Sequence, residues 1–431
     1  MIVGAVRRRA GWTAIVLCAA LACARRHVAV SAGTFDGVAP GSGISASDRT
    51  LRVGIAIAEA PRLSASGEWR FYDAATDRAI ASAEGGRSWR VERSGARLRA
   101  LSPDGIASPW ADGKLIARSD GDALIAVNGK HYRGELLLVA SDAGINVVNW
   151  VRMDDYLRGV VPLEIGTSDP RDAAAVEAQA VSARSYAYVH IGAASATRPY
   201  DVSAGVNDQL YGGADVETAV SNAAVDATRG LVLQYAGRVV NAPYHSACGG
   251  STAGAQEVWR SAGEPYLQPV SDRIPGTDRF YCDIAPRFRW TRTLDGAALR
   301  EALVKYLGTY TAVPGPYPGT PRDVMVDTRT PSGRVGTLKI ATDRGNYVLR
   351  GNDVRYVLRP PGGEILNSTN FSVETASGRD GSLSRLVLRG RGYGHGVGMC
   401  QWGAIGRARA GQDFRTILRT YYPGTSVGAI E

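Results

Sequence analysis

Residues 391–406 read RGYGHGVGMCQWGAIG, with glycine at 392, 394, 396 and 398 alternating with Tyr393, His395, Val397 and Met399. A regular strand gains nothing from such spacing, because each glycine adds backbone entropy to be lost and gives up a packing side chain. The segment is therefore predicted to be special backbone, and it sets His395 five residues before Cys400. Two readings stand. It is either the wall of a binding cleft, with His395 sharing a side with Tyr393 and Val397, or a tight bend in which His395 is a satisfied structural hydrogen-bonder.

The rest of the chain sets the surroundings of this segment. With 431 residues it exceeds one ordinary core, so more than one domain or subdomain is expected. Arg7, Arg8 and Arg9 precede the apolar run AGWTAIVLCAALACA, the pattern of a secretory leader over residues 1–24. Cleavage after Ala22 or Ala24 fits; membrane attachment through a lipidated Cys23, or through an uncleaved leader, is the alternative. Export to the cell envelope, periplasm or wall follows. Residues 25–50 are rich in Gly, Ser and Ala without periodicity and read as a flexible linker. The net charge of +9 suits an anionic partner. No basic run is interleaved with aromatics, which argues against nucleic acid.

From Leu51 short alternating segments (LRVGIAIA, WRFYDAA, SWRVER, ARLRAL, DALIAVNG, YRGELLLVA) are separated by turn residues, so an all-β region is expected to about 150. Helix signals follow. Asp169 is an N-cap before Pro170, and Val176, Ala180, Ala183 and Ala187 recur at helical spacing. A second helix is expected over DVETAVSNAAVDATRG, and a hairpin turning at Ala236-Gly237. DGAALREALVKYL reads as a short helix, GTLKIATDRGNYVLRGNDVRYVL as strands, and GAIGRARAGQDFRTILRTYYPG as largely helical. The fold class is α+β: a mixed α/β domain preceded by an all-β N-terminal region.

Three stretches carry candidate chemistry. Glu164 lies between an apolar stretch and a capped helix; apolar flanks raise a carboxyl pKa, as a general acid at neutral pH requires. The ordinary alternative is a solvated loop glutamate. Glu177 reads as a surface residue of the following helix, and Arg184 as a partner for substrate or carboxylate. NDQLYGG (207–213) combines acid, amide and phenol, the groups a sugar site uses, though the same letters make an Asx turn. His245 and Cys248 lie close in sequence, and with Cys282 and Cys400 they form a one-histidine, three-cysteine set of the kind that holds structural zinc. A Cys248–Cys282 disulfide, unpaired thiols, or a cysteine nucleophile with His245 or His395 as base are the alternatives.

Taken in order, YRGELLLVASDAGINVVNWVRMDDYLRGVVPLEIG, AAAVEAQAVSARSYA, AVDATRGLVLQYAGRVVNAPYHSACGGSTAGAQEVW, PYLQPVSD and GYGHGVGMCQWGAIGRARAG…ILRTYYPGT resemble the stage II sporulation protein D family, whose members include LytB-type amidase enhancers. The resemblance spans 131–426 as one domain and leaves 51–130 as a β region of open role. It implies peptidoglycan as target, with two activities in the family: lytic transglycosylases that cut glycan strands stripped of stem peptides, and non-catalytic enhancers of a cell-wall amidase. It places the catalytic glutamate at Glu164, although Leu163 and Ile165 depart from the commoner serine and methionine around it. Gln209, Tyr211, His245 and His395 fall in segments that match the family and are expected to contact substrate, with Arg184 from the local reading beside them; no cofactor is expected, a structural zinc being the alternative.

Overall fold

The computed structural model describes residues 49–430. The expected leader, Cys23 and nearly all of the linker lie outside them. Among the described residues no helix is long and apolar enough to cross a membrane. The class is α+β.

The alternating segments do form strands. A seven-stranded sheet runs in the order 202–203, 50–58, 144–152, 135–141, 114–119, 69–73, 78–83, and a six-stranded sheet in the order 130–132, 125–127, 62–65, 89–94, 97–101, 111–112. Alternation sends Trp69 and Phe71 of the first sheet inward to meet Trp89 of the second, with ring centroids 6.5 and 5.6 Å apart. The Gly144–Arg152 strand is buried along most of its length, as a central strand covered on both faces is. The border expected at 130 falls within this β structure: Glu135–Ser141 pairs with Lys114–Ser119, joining residues from both sides of it in one sheet. One hydrophobic core runs from Leu51 and Trp69 through the helices to Tyr421 and Tyr422.

Helix α1, Met153–Glu164, leaves the central strand directly. The sequence read this stretch as merely apolar, and Pro162 accounts for that. A helical proline forfeits a hydrogen bond and crowds the carbonyl four residues back, but here it sits in the last turn, where little helix remains to break. Asp169 caps a short 3-10 turn, Pro170–Asp172, which feeds helix α2, Ala173–His190. α2 is buried nearly all round rather than along the single stripe expected, because α1, helix α3 (Ala219–Ala227), the Gln401–Arg409 helix and the Phe414–Tyr421 helix all pack on it. The hairpin turns at Ala236-Gly237, both with positive φ (48° and 76°), as a two-residue hairpin needs.

Residues 289–391 carry a second hydrophobic core, built from Trp290, Leu299, Ile340, Leu388 and their neighbours, between two parts of the main one. The strands expected up to Leu358 stop at Arg350, and Asp353–Val357 is helical.

The 392–398 segment is not a regular strand, and Tyr393, Gly394 and His395 within it are half-buried. Gly392, Gly394, Gly396 and Gly398 all have positive φ (82°, 110°, 94°, 69°), so alternate residues do not share a face. The close approach they permit is to the protein itself. A Cβ on Gly398 would lie 2.0 Å from the Pro243 carbonyl oxygen, and one on Gly396 2.5 Å from the Arg334 guanidinium carbon. Tyr393 and Ala247 exchange backbone hydrogen bonds at 2.7 and 2.9 Å, and Tyr244–His245 pairs in parallel with Met399–Cys400.

Candidate functional site

Glu164 ends α1, where the negative pole of the helix disfavours a carboxylate charge. Its side chain is half-buried, and Oε1 accepts the Leu210 backbone N–H at 2.8 Å. Burial pushes its pKa up; the Leu210 amide, and then the Gln401 and Tyr244 side chains facing it, offset this in part. No cation pairs with Glu164 among the described residues. The groups around it are an amide, a carboxamide and a phenol, and none is a second carboxylate. Exposed Leu163 and Leu210 flank it.

The loop 205–212 is what fixes this geometry. Asn149, buried on the central strand, accepts the Tyr211 hydroxyl at 2.6 Å and donates its own amide to the Arg133 and Glu135 carbonyls. Tyr211 lies on α1 because Gly159 has no side chain; a Cβ there would sit 2.5 Å from the ring. The Gly212 N–H donates to the Gly159 carbonyl at 3.0 Å. Sheet, tyrosine and loop thus set Leu210 over Glu164. Asn149 and Gly159 were not singled out from the sequence, since a strand asparagine and a helix glycine carry no local signal of their partners.

The inward residues of NDQLYGG are therefore supports. Asp208 accepts from Ser203 N–H, Ser203 Oγ and the Tyr186 hydroxyl. Gln209 is buried, accepts the Tyr156 hydroxyl at 3.0 Å and donates to the Tyr244 hydroxyl oxygen at 2.8 Å. Tyr244 is the residue that sequence reasoning missed. Burial and the nearby Glu164 carboxylate push its phenol well above the ordinary value, so it stays a donor. A tyrosine beside the singled-out His245 was the available signal.

Other expected contacts lie elsewhere. Arg184 is fully buried, ion-paired to Asp154 at 3.0 Å and donating to the Thr228, Leu231 and Val225 carbonyls; every direction of its fork is taken by protein. Tyr211 is buried under the loop. His245 is buried with Nδ1 3.2 Å from the Val397 carbonyl, and burial, with His395 nearby, keeps it neutral. His395 donates from Nε2 to the Tyr244 carbonyl at 2.8 Å and accepts the Val397 N–H, and burial with Arg355 nearby pushes its pKa down to about 3. His395 is half-buried and bonded to backbone through both ring nitrogens, whereas His245 is held at Nδ1 alone and its buried Nε2 has no partner among the described residues. Of the expected set, Glu164 and Gln209 come together, Gln209 acting through Tyr244.

The cysteines converge, but without His245. Cys248, Cys282 and Cys400 are buried and free, and the fourth donor beside them is Asp272. The expected Cys248–Cys282 disulfide is not formed: the sulfurs are 3.4 Å apart, against about 2.05 Å for a bond. Neither histidine faces a cysteine sulfur as a catalytic base would, so a cysteine–histidine pair has no geometry here.

A cavity of about 680 Å³ lies in the 289–391 region, lined by Arg289, Arg329, Arg389 and Arg391 with Trp290 and Phe371. None of its lining groups touches Glu164.

A family model described as stage II sporulation protein matches residues 141–235. A model for a domain of unknown function matches residues 277–398, most of them in the region with the second core. An uncharacterized protein of Brachyspira hyodysenteriae is 31% identical over 318 residues, covering 74% of this chain and 77% of its own. The amidase enhancer of Bacillus subtilis is 30% identical over 302 residues, covering 63% of this chain and 40% of its own. Stage II sporulation protein D of the same organism is 28% identical over 350 residues, covering 76% and 91%.

Proposed function

Because the chain belongs to the stage II sporulation protein D family, we propose that it acts in the cell envelope on peptidoglycan, as a lytic transglycosylase of peptide-poor glycan strands with Glu164 as its single acid and base. The observation that carries the proposal is a lone carboxyl with a raised pKa, half-buried between exposed apolar side chains and facing donors only.

A glycosidase that uses water needs two carboxylates. Intramolecular attack needs one. Protonated Glu164 gives its proton to the glycosidic oxygen as that bond to the anomeric carbon breaks. The C6 hydroxyl of the same muramic acid then attacks the anomeric carbon, and the Glu164 carboxylate takes the hydroxyl proton. The acid is regenerated, the product is a 1,6-anhydro sugar, and no water is consumed. Burial raises the Glu164 pKa and so favours the protonated form the first step uses, while the Leu210 N–H and the Tyr244 hydroxyl steady the carboxylate between steps.

Peptide-free glycan incubated with the protein should release 1,6-anhydro products, and Glu164→Gln should abolish them. Undiminished release by that variant refutes the assignment. The similarity to an amidase enhancer favours a second reading, a wall-binding partner of an amidase. It predicts retention on insoluble wall, no new products, and a faster amidase.

A further inference from the structure

We propose that Cys248, Asp272, Cys282 and Cys400 form a structural zinc site, distinct from Glu164 and its chemistry. The four donor atoms come from separate segments of chain and lie within 4.8 Å of one another, all buried. Cys248 Sγ is 3.4 Å from Cys282 Sγ and 3.7 Å from Asp272 Oδ2. Zinc–sulfur bonds of about 2.3 Å give tetrahedral edges of about 3.8 Å between sulfurs, so these separations suit ligands around one ion.

The second layer is arranged as a metal site requires. Asp272 turns Oδ1 to Arg407 Nη2 at 3.1 Å and to the Tyr421 hydroxyl at 2.7 Å, which leaves Oδ2 toward the thiols. Cys400 Sγ accepts two backbone N–H groups, from Cys248 at 3.1 Å and Gly403 at 3.3 Å, as a thiolate does.

Charge distinguishes a metal from a disulfide. Arg334 is buried beside the cluster, donates to the Cys248 carbonyl at 2.7 Å, and among the described residues has no carboxylate in ion-pair reach; its Nε and Nη1 have no partner. A Cys248–Cys282 disulfide would leave that cation uncompensated in the interior, a costly arrangement. Three thiolates, one carboxylate and a zinc ion carry a net charge of minus two, which Arg334 and Arg407 together neutralise. Loading displaces the three thiol protons to solvent.

The test is metal analysis of the purified full chain after gel filtration without added reductant or chelator. One zinc per chain is expected. Cobalt exchanged into the wild-type chain should give thiolate-to-cobalt charge-transfer bands and strong visible bands of a tetrahedral, sulfur-rich centre. Asp272→Asn and Cys400→Ser should lose the metal, and His245→Gln should keep it. Because the cobalt spectrum is read on the wild type, a variant that fails to fold does not decide the matter. A metal-free chain with three titratable thiols, a mass two hydrogens lighter from a disulfide, or metal that follows His245 instead of Asp272 would each overturn the proposal.

Discussion

Replacing Arg184 by methionine separates a buried structural cation from a substrate-binding one. The methionine keeps much of the apolar stem but removes the guanidinium that lies 3.0 Å from Asp154, with the two side chains 0% and 4% exposed. Breaking a buried pair from one side costs about 3–5 kcal/mol, because the remaining charge loses its partner. The Thr228, Leu231 and Val225 carbonyls lose a charged donor as well, each an unmet acceptor costing about 1–3 kcal/mol where no water reaches it. These losses overlap, and Arg229, with Nε 3.9 Å from the other Asp154 oxygen, takes up part of the charge. A destabilisation of about 3–6 kcal/mol remains, a large share of what a folded domain has. Urea unfolding followed by tryptophan fluorescence measures it. The double variant with Asp154→Leu should be less destabilised than the two singles summed, because no orphan charge is left. An Arg184→Met chain that unfolds within about 0.5 kcal/mol of wild type, with only weaker substrate binding, would refute the structural role.

Tyr244→Phe removes a hydroxyl facing Glu164, so the Glu164 pKa should rise further and the high-pH fall in activity should move to higher pH; an unmoved limb contradicts their contact. In stability the sign is the same. A carboxyl raised in the fold contributes stability below its unfolded pKa and loses it as pH rises through the folded one, and Glu164→Gln should flatten that part of the profile. Gly398→Ala should cost at least about 1–3 kcal/mol from positive φ alone, with the Pro243 carbonyl contact added; a thermal melt like wild type would show that the segment yields freely.

Much of this was legible because it is local. Alternation and turn residues located the strands before 150, Ala236-Gly237 located a hairpin, and the apolar flanks of Glu164 foretold its raised pKa. What was missed depends on distance in the chain. Asp272 reaches the cysteines only when segments from 248 to 400 meet, and nothing near it in sequence points to a thiol. His245 and Cys248 had suggestive spacing, but the histidine ring is held by the Val397 carbonyl instead. Arg184 and Tyr211 lie beside functional-looking motifs, and only the fold shows their polar atoms spent on Asp154 and Asn149. In α1 the proline concealed a helix whose last residue is the candidate acid.

The Thr50–Ala58 strand pairs with Gly144–Arg152 on one edge and Val202–Ser203 on the other. The first described strand therefore waits for partners roughly a hundred and roughly a hundred and fifty residues downstream, contacts of high order that slow folding. A fragment that ends before residue 144 leaves this strand with neither neighbour, and one that begins at residue 131 strips the central strand of one side. The β region and the helices that carry Glu164 are thus a single unit of inheritance, to be exchanged or truncated together.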